Sequence, residues 1–270
     1  MAFEQLVDKY DGEYSTFEED FVEKKLALIR NDAGNKWIRM NPEEEEANPK
    51  FKMFDGSSIG WGKSEGVVCT NPEDLLAWYF AFDSNQNLVK HEDQNGPDFD
   101  KFPSRIEEAR SEHNHIIYSC RKMPFPLSPR DFLHRGIWKK IDSDTFLLGY
   151  HYCDEDELED GLQRATAGGV VRGQFQCAYH MKRIGGNCTK LTYIARVDVK
   201  GMVPAALANT GIGGMVETVN RACDYFRPRE EDLNCDRDDE FKDANDAVTA
   251  RDTDTGTPRI RKSFASHYRK

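Results

Sequence analysis

The chain has 270 residues, of which 38% are hydrophobic and 31% charged, and it carries 37 Lys and Arg against 48 Asp and Glu for a formal net charge of −11. With 16 Phe, 10 Tyr and 4 Trp it holds enough bulky apolar material for one well-cored domain, which excludes disorder from end to end. The acidic balance argues against sequence-independent binding to nucleic acid, and no window approaches the roughly 20 uninterrupted apolar residues of a spanning helix.

The start, Met-Ala-Phe-Glu-Gln, lacks a basic region leading into an apolar one, so a cytoplasmic home is expected. Helical spacing of Phe17, Phe21 and Leu28, with Val22, Leu26 and Ile29 one position off, predicts a helix over Glu13 to Arg30. Short strands are expected at Trp37 to Met40 and Phe51 to Phe54, separated by an acidic loop. Four consecutive glutamates there, Glu43 to Glu46, read as a solvated loop, since a flexible carboxylate run fixes no coordination geometry. Asn71-Pro72-Glu73-Asp74 is a helix start with Asn as N-cap and acids in the first turn. The stretch from Gln86 to Ser104 reads as a polar connection.

From His115 the period changes to two. Strands are expected over His115 to Met123, Arg130 to Ile141, Thr145 to Cys153, Val170 to Ile184 and Cys188 to Val199. Phe175, Cys177, Tyr179 and Met181 share one face of their strand, as do Leu191, Tyr193, Ala195 and Val197 of the next. Tight turns at Asp142 to Asp144 and Gly185 to Asn187 favour an antiparallel meander. A final helix is expected over Val203 to Phe226, with Val203, Leu207, Gly211, Met215, Val219, Ala222 and Phe226 on one stripe, weakened by Gly211, Gly213 and Gly214. Residues 229–254 carry 11 acids against 4 bases and residues 255–270 carry 5 bases and no acid, so 229–270 reads as a disordered charged tail. The layout is an extension over 1–14, one domain over 15–228 and that tail.

Seven cysteines without a Cys-x-x-Cys pair read as reduced structural thiols. His113 and His115 have a spacing that some metal sites use, but no third ligand accompanies them and a solvent-facing pair is expected; no metal or other cofactor is implied. No nucleophile elbow, phosphate-cradling loop or zincin helix is present, so no catalytic residue is assigned.

Three segments, Ile117 to Phe132 with its Pro-Phe-Pro-x-Ser-x-Arg-Asp core, Val171-Arg172 and Val197 to Pro204, resemble the START (steroidogenic acute regulatory protein-related lipid transfer) domain family, most closely its phosphatidylcholine-transfer branch. The resemblance runs from about residue 15 to 228. It implies an α+β helix-grip fold, in which a curved antiparallel sheet wraps a long C-terminal helix around a tunnel for one lipid, phospholipid or sterol. It also implies a monomer that meets membranes peripherally and transiently.

On this footing Arg135 is the expected lipid-binding residue: it shares a strand face with Leu133, Ile137 and Ile141 and falls where sterol-binding members have a cavity arginine. Its alternatives are a pair with an acidic neighbour, or an inverted face. Tyr150, Phe175 and Tyr193 are expected cavity walls, joined by Leu207, Met215 and Val219 on the last helix, with Glu92 as the single match to the family's head-group motif. Asp154 to Gly169 resembles the loop that covers the tunnel mouth. Two other readings remain open: a helix-grip enzyme using Arg135, His134, Tyr193 or Glu92, and a lipid-sensing module signalling through the acidic tail.

Overall fold

The computed structural model describes residues 12–30, 37–39, 50–52, 58–82, 84–204, 208–209, 213–214 and 217–228. Among them, ten strands join in one sheet: β1 (Ile38–Arg39), β2 (Lys50–Lys52), β3 (Trp61–Val68), β4 (Ser104–Ser111), β5 (Asn114–Arg121), β6 (Arg130–Asp142), β7 (Thr145–Tyr152), β8 (Val171–Arg172), β9 (Gln174–Gly185) and β10 (Cys188–Asp198). Their order is β1-β2-β3-β10-β9-β7-β6-β5-β4, all antiparallel, with β8 pairing parallel to β6 beside that path. The helices are α1 (Thr16–Arg30), α2 (Pro72–Phe80), α3 (Asn85–Asn95) and α4 (Thr218–Tyr225). This is the curved antiparallel sheet with packed helices of a helix-grip fold.

Period-two alternation gives the sheet two different faces. The inner face carries Ile117, Trp138, Phe146, Leu148, Tyr150, Cys177, Tyr179, Met181, Leu191, Tyr193 and Ala195, and these pack with Leu75, Leu76 and Phe80 of α2 and Val219 and Ala222 of α4. α2 starts as expected: the Asn71 side chain accepts the Asp74 amide at 2.7 Å. Arg183 of β9 then ties the helix to the sheet through Glu73, at 2.7 and 2.8 Å. The outer face receives α1, whose Phe21, Val22 and Leu26 pack on Ile137 and Leu147. Lys25, on the same side, donates to the Tyr150 carbonyl at 2.6 Å, and burial pushes its pKa down to about 8.

Two elements were not foreseen. α3 and β4 occupy the stretch expected to be a polar connection and its continuation. α3 begins with a Ser84 cap and has only Leu88 and Val89 as large aliphatic residues, and β4 is an edge strand with Arg105, Glu107, Glu108 and Arg110 among its eight residues, so neither shows an apolar period. The final helix is described over Thr218–Tyr225; Leu207 and Met215, like the proposed tail over 229–270, lie outside the described residues.

The segments around Arg130, Asp131 and Arg172 serve the joint between strands. Asp131, fully buried, accepts two hydrogen bonds from Arg172 at 3.0 and 3.1 Å and one from the Tyr118 hydroxyl at 3.2 Å. Arg130 donates to the carbonyls of Val199 (2.6 Å), Lys200 (3.3 Å) and Ser128, which fastens the β5–β6 turn to the segment after β10. Breaking a buried pair by removing one partner leaves the other uncompensated, so D131A is expected to lose about 3 kcal/mol in urea unfolding. A loss under about 1 kcal/mol would mean that the joint carries little of the stability.

Candidate functional site: the inner face of the sheet

The inner face is apolar in bulk but set with polar rings. Tyr79 of α2, Tyr179 of β9 and Tyr193 of β10 stand in a row, with ring centroids 4.3 and 4.5 Å apart. Tyr79 donates to the Thr218 carbonyl of α4 at 3.0 Å, and Tyr150 donates to the Tyr79 carbonyl at 3.2 Å, so sheet, α2 and α4 are bridged by phenol groups. Burial raises the pKa of all four tyrosines well above the ordinary value, so they remain neutral donors.

Two histidines complete this lining. His115 stacks on Phe80 with centroids 4.0 Å apart and planes 4° apart. His134 meets Tyr150 and Phe175 edge to face at 5.5 and 5.4 Å. Gly136, the inward position between His134 and Trp138, makes room for both: a Cβ there would collide with Tyr150 and with His115 Nε2. His115 Nε2 and His134 Nδ1 are buried without a hydrogen-bond partner among the described residues. Desolvation pushes the two imidazoles down to about 4 and about 3.

Of the residues expected to line a cavity, Tyr150, Phe175, Tyr193 and Val219 come together in this one cluster. Arg135 does not join them. It is one residue out of phase with His134 and Gly136, and it projects to the outer face, where it pairs with Glu157 at 2.7 Å and lies over the Phe17 ring at 5.1 Å. Glu92 is exposed on α3 and is not part of this cluster. The segment expected to cover a tunnel mouth is also on the outer side: Leu158, Leu162, Ala165 and Ala167 pack against Ile116, Tyr118, Cys120 and Leu133. Nor is the histidine pair solvent-facing: His113 is buried beside Glu18 at 3.1 Å, His115 is buried against Phe80, and no metal-holding cluster occurs among the described residues.

One inner-face residue escaped the sequence reading. Counting inward positions from Ile117 along β5 gives Ser119 and then Arg121, at the last residue of the strand. Its position beside Lys122 and the following prolines resembles a solvated turn. Arg121 is exposed at that end of the strand.

Comparison with known proteins matches residues 85–227 to the pattern of the START domain family. Among solved structures, the chain is similar to the human StarD13 (DLC2) lipid transfer and protein localization domain, with a TM-score of 0.55 and 17% identity over 81% of this chain and 100% of that one. It is similar to human STARD10, at 0.57 and 13% over 82% and 84%, and to human StAR-related lipid transfer protein 5, at 0.55 and 17% over 78% and 97%. No curated protein matches by sequence.

The lowered histidines set an acid limit. Both titrate near 6.5 when unfolded, so between about pH 6.5 and 4 the unfolded chain holds more protons than the folded one. Their contribution to stability is complete above that window and is lost as pH falls through it. Urea midpoints are expected to drop across it, with H115Q and H134Q each removing part of the slope; midpoints unchanged from about pH 7 to 4 would contradict the neutral lining.

Proposed function

The chain belongs to the START domain family, and from that premise we propose that it binds one lipid against the inner face of its sheet and carries it between membranes. The observation that carries this reading is the apolar cluster on the inner face. Tyr79, Tyr150, Tyr179, Tyr193, Phe175 and Val219, drawn from two helices and three strands, turn an apolar and neutral wall toward one interior. Exposing one 16-carbon chain to water costs on the order of 12 kcal/mol, so a carrier must shield it throughout, and such a wall does this without a charge against the acyl chain.

The inner-face groups suit holding rather than chemistry. The histidines and tyrosines keep one protonation state across neutral pH, so they present fixed hydrogen-bonding positions instead of a base poised near 7. Cargo is expected to leave as it entered.

Loading requires contact with a bilayer, and the molecule has an apolar point of contact. Phe125, 98% exposed, stands at the tip of the β5–β6 turn, and Met202, fully exposed, follows β10. Arg130 fastens the bases of these two segments together, so both tips belong to one end of the domain. No described helix is long and apolar enough to cross a membrane, and with a formal net charge of −11 any such contact is local and transient. Lipid identity aside, the proposed role is that of a peripheral lipid carrier.

Purified protein incubated with phospholipid vesicles, re-isolated and weighed by native mass spectrometry is expected to carry one lipid per chain, chemically unchanged. Recovery of lipid-free protein after incubation with a broad lipid extract would overturn the binding reading. In a vesicle-to-vesicle assay, the F125A/M202A double variant is expected to slow transfer several-fold while its lipid content stays at one per chain; unchanged transfer would remove this end as the membrane contact.

A further inference from the structure

The tight turn between β4 and β5 brings Ser111 and His113 into line with Glu18 of α1. The Ser111 hydroxyl lies 3.1 Å from His113 Nδ1, and His113 Nε2 lies 3.1 Å from Glu18 Oε1. A carboxylate only accepts, so Nε2 carries the imidazole proton and Nδ1 is left to accept from the hydroxyl. Hydroxyl, imidazole and carboxylate in that order are the parts of a nucleophile, its base and the group that orients the base.

Each part is held by its surroundings. Glu18 Oε2 accepts the Ser15 amide and hydroxyl at 2.8 and 2.9 Å in a capping box at the start of α1, and Oε1 accepts Asn114 Nδ2 at 2.6 Å. Burial works against the charge of Glu18, but these bonds outweigh it and hold the carboxyl below its usual range. His113 is 2% exposed, with the Tyr14 ring against it at 4.2 Å. Trp138 fixes the turn by donating its amide to the His113 carbonyl at 3.1 Å and its indole N–H to the Glu112 carbonyl at 3.0 Å. Burial pushes the His113 pKa down, Glu18 pulls it up and Lys139 of β6 opposes the charge; the balance lies below the ordinary value, so the imidazole is a free base at neutral pH. Ser111 itself is exposed at the end of the edge strand β4, where a reactant can reach it. Tyr14 and Trp138 also line a surface cleft of about 460 Å³, which has room for a short acyl chain.

We propose that Ser111 is an acyl-accepting nucleophile, with His113 as its base and Glu18 as a positioning residue, and that its substrate is a short-chain ester. Ser111 Oγ attacks the ester carbonyl carbon while its proton passes to His113 Nδ1. The bond from that carbon to the alcohol oxygen then breaks, and the alcohol leaves with the proton. Water attacks the acyl-serine, gives a proton to His113 and releases the carboxylic acid, and the proton returns to Ser111 Oγ. An alkoxide leaves more readily than an amide anion, which makes an ester the fitting acyl donor. The proposal does not rest on the lipid-binding reading.

The test uses the full chain with p-nitrophenyl butyrate and, separately, with a fluorophosphonate probe whose attachment is mapped by mass spectrometry. The wild-type protein is expected to hydrolyse the ester faster than buffer does and to take the phosphonyl group on Ser111. S111A, at an exposed position, is expected to lower hydrolysis about 100-fold and to abolish labelling while melting at the wild-type temperature. E18Q is expected to slow labelling about tenfold or more at pH 7 and to move the acid limb of its pH profile to lower pH, because the carboxylate is what raises the His113 pKa. Loss of a helix cap alone would leave that limb in place. Wild-type hydrolysis no faster than buffer, wild-type rates in S111A, a phosphonyl group on another residue, or an unmoved acid limb in E18Q would each overturn the triad.

Discussion

Everything in this molecule depends on the phase of alternation in its central strands. On β6, His134, Gly136 and Trp138 turn inward, while Leu133, Arg135 and Ile137 turn outward. Cross-strand register carries that phase into β5, where Ile117 sits opposite His134, and into β7, where Tyr150 sits opposite Gly136. A slip of one residue would exchange an aromatic, neutral lining for one containing Arg135 and Lys139. The buried Asp131–Arg172 pair and the carbonyls gathered by Arg130 sit at the start of β6, where they hold that phase.

The same phase explains which parts of the structure were legible in the sequence. The faces of β9 and β10 could be read because their alternation is long and clean: Phe175, Cys177, Tyr179 and Met181 do share a face with Leu191, Tyr193 and Ala195. The N-cap at Asn71 was readable from local chemistry alone. α3 and β4 were not, because a polar helix and a charged edge strand leave no apolar period. Arg135 was assigned its correct neighbours, Leu133 and Ile137, but the function of that face depended on which side α1 and α4 occupy, and alternation within one strand carries no such information.

The outward docking of residues 158–167 shows the complementary gap: Ala- and Leu-bearing loop residues have no period, and the surface that receives them, Tyr118 and Leu133, is assembled from two strands.

The central claim is that cargo lies against the inner face. Photolabelling with a palmitic acid carrying a diazirine near its methyl end, followed by peptide mapping, tests it most directly. The account predicts crosslinks on inner-face residues such as Tyr179, Tyr193 and Val219, competed away by unlabelled fatty acid. Crosslinks concentrated on the outer face, at Phe21, Ile137 or Leu147, or labelling that no competitor reduces, would contradict it.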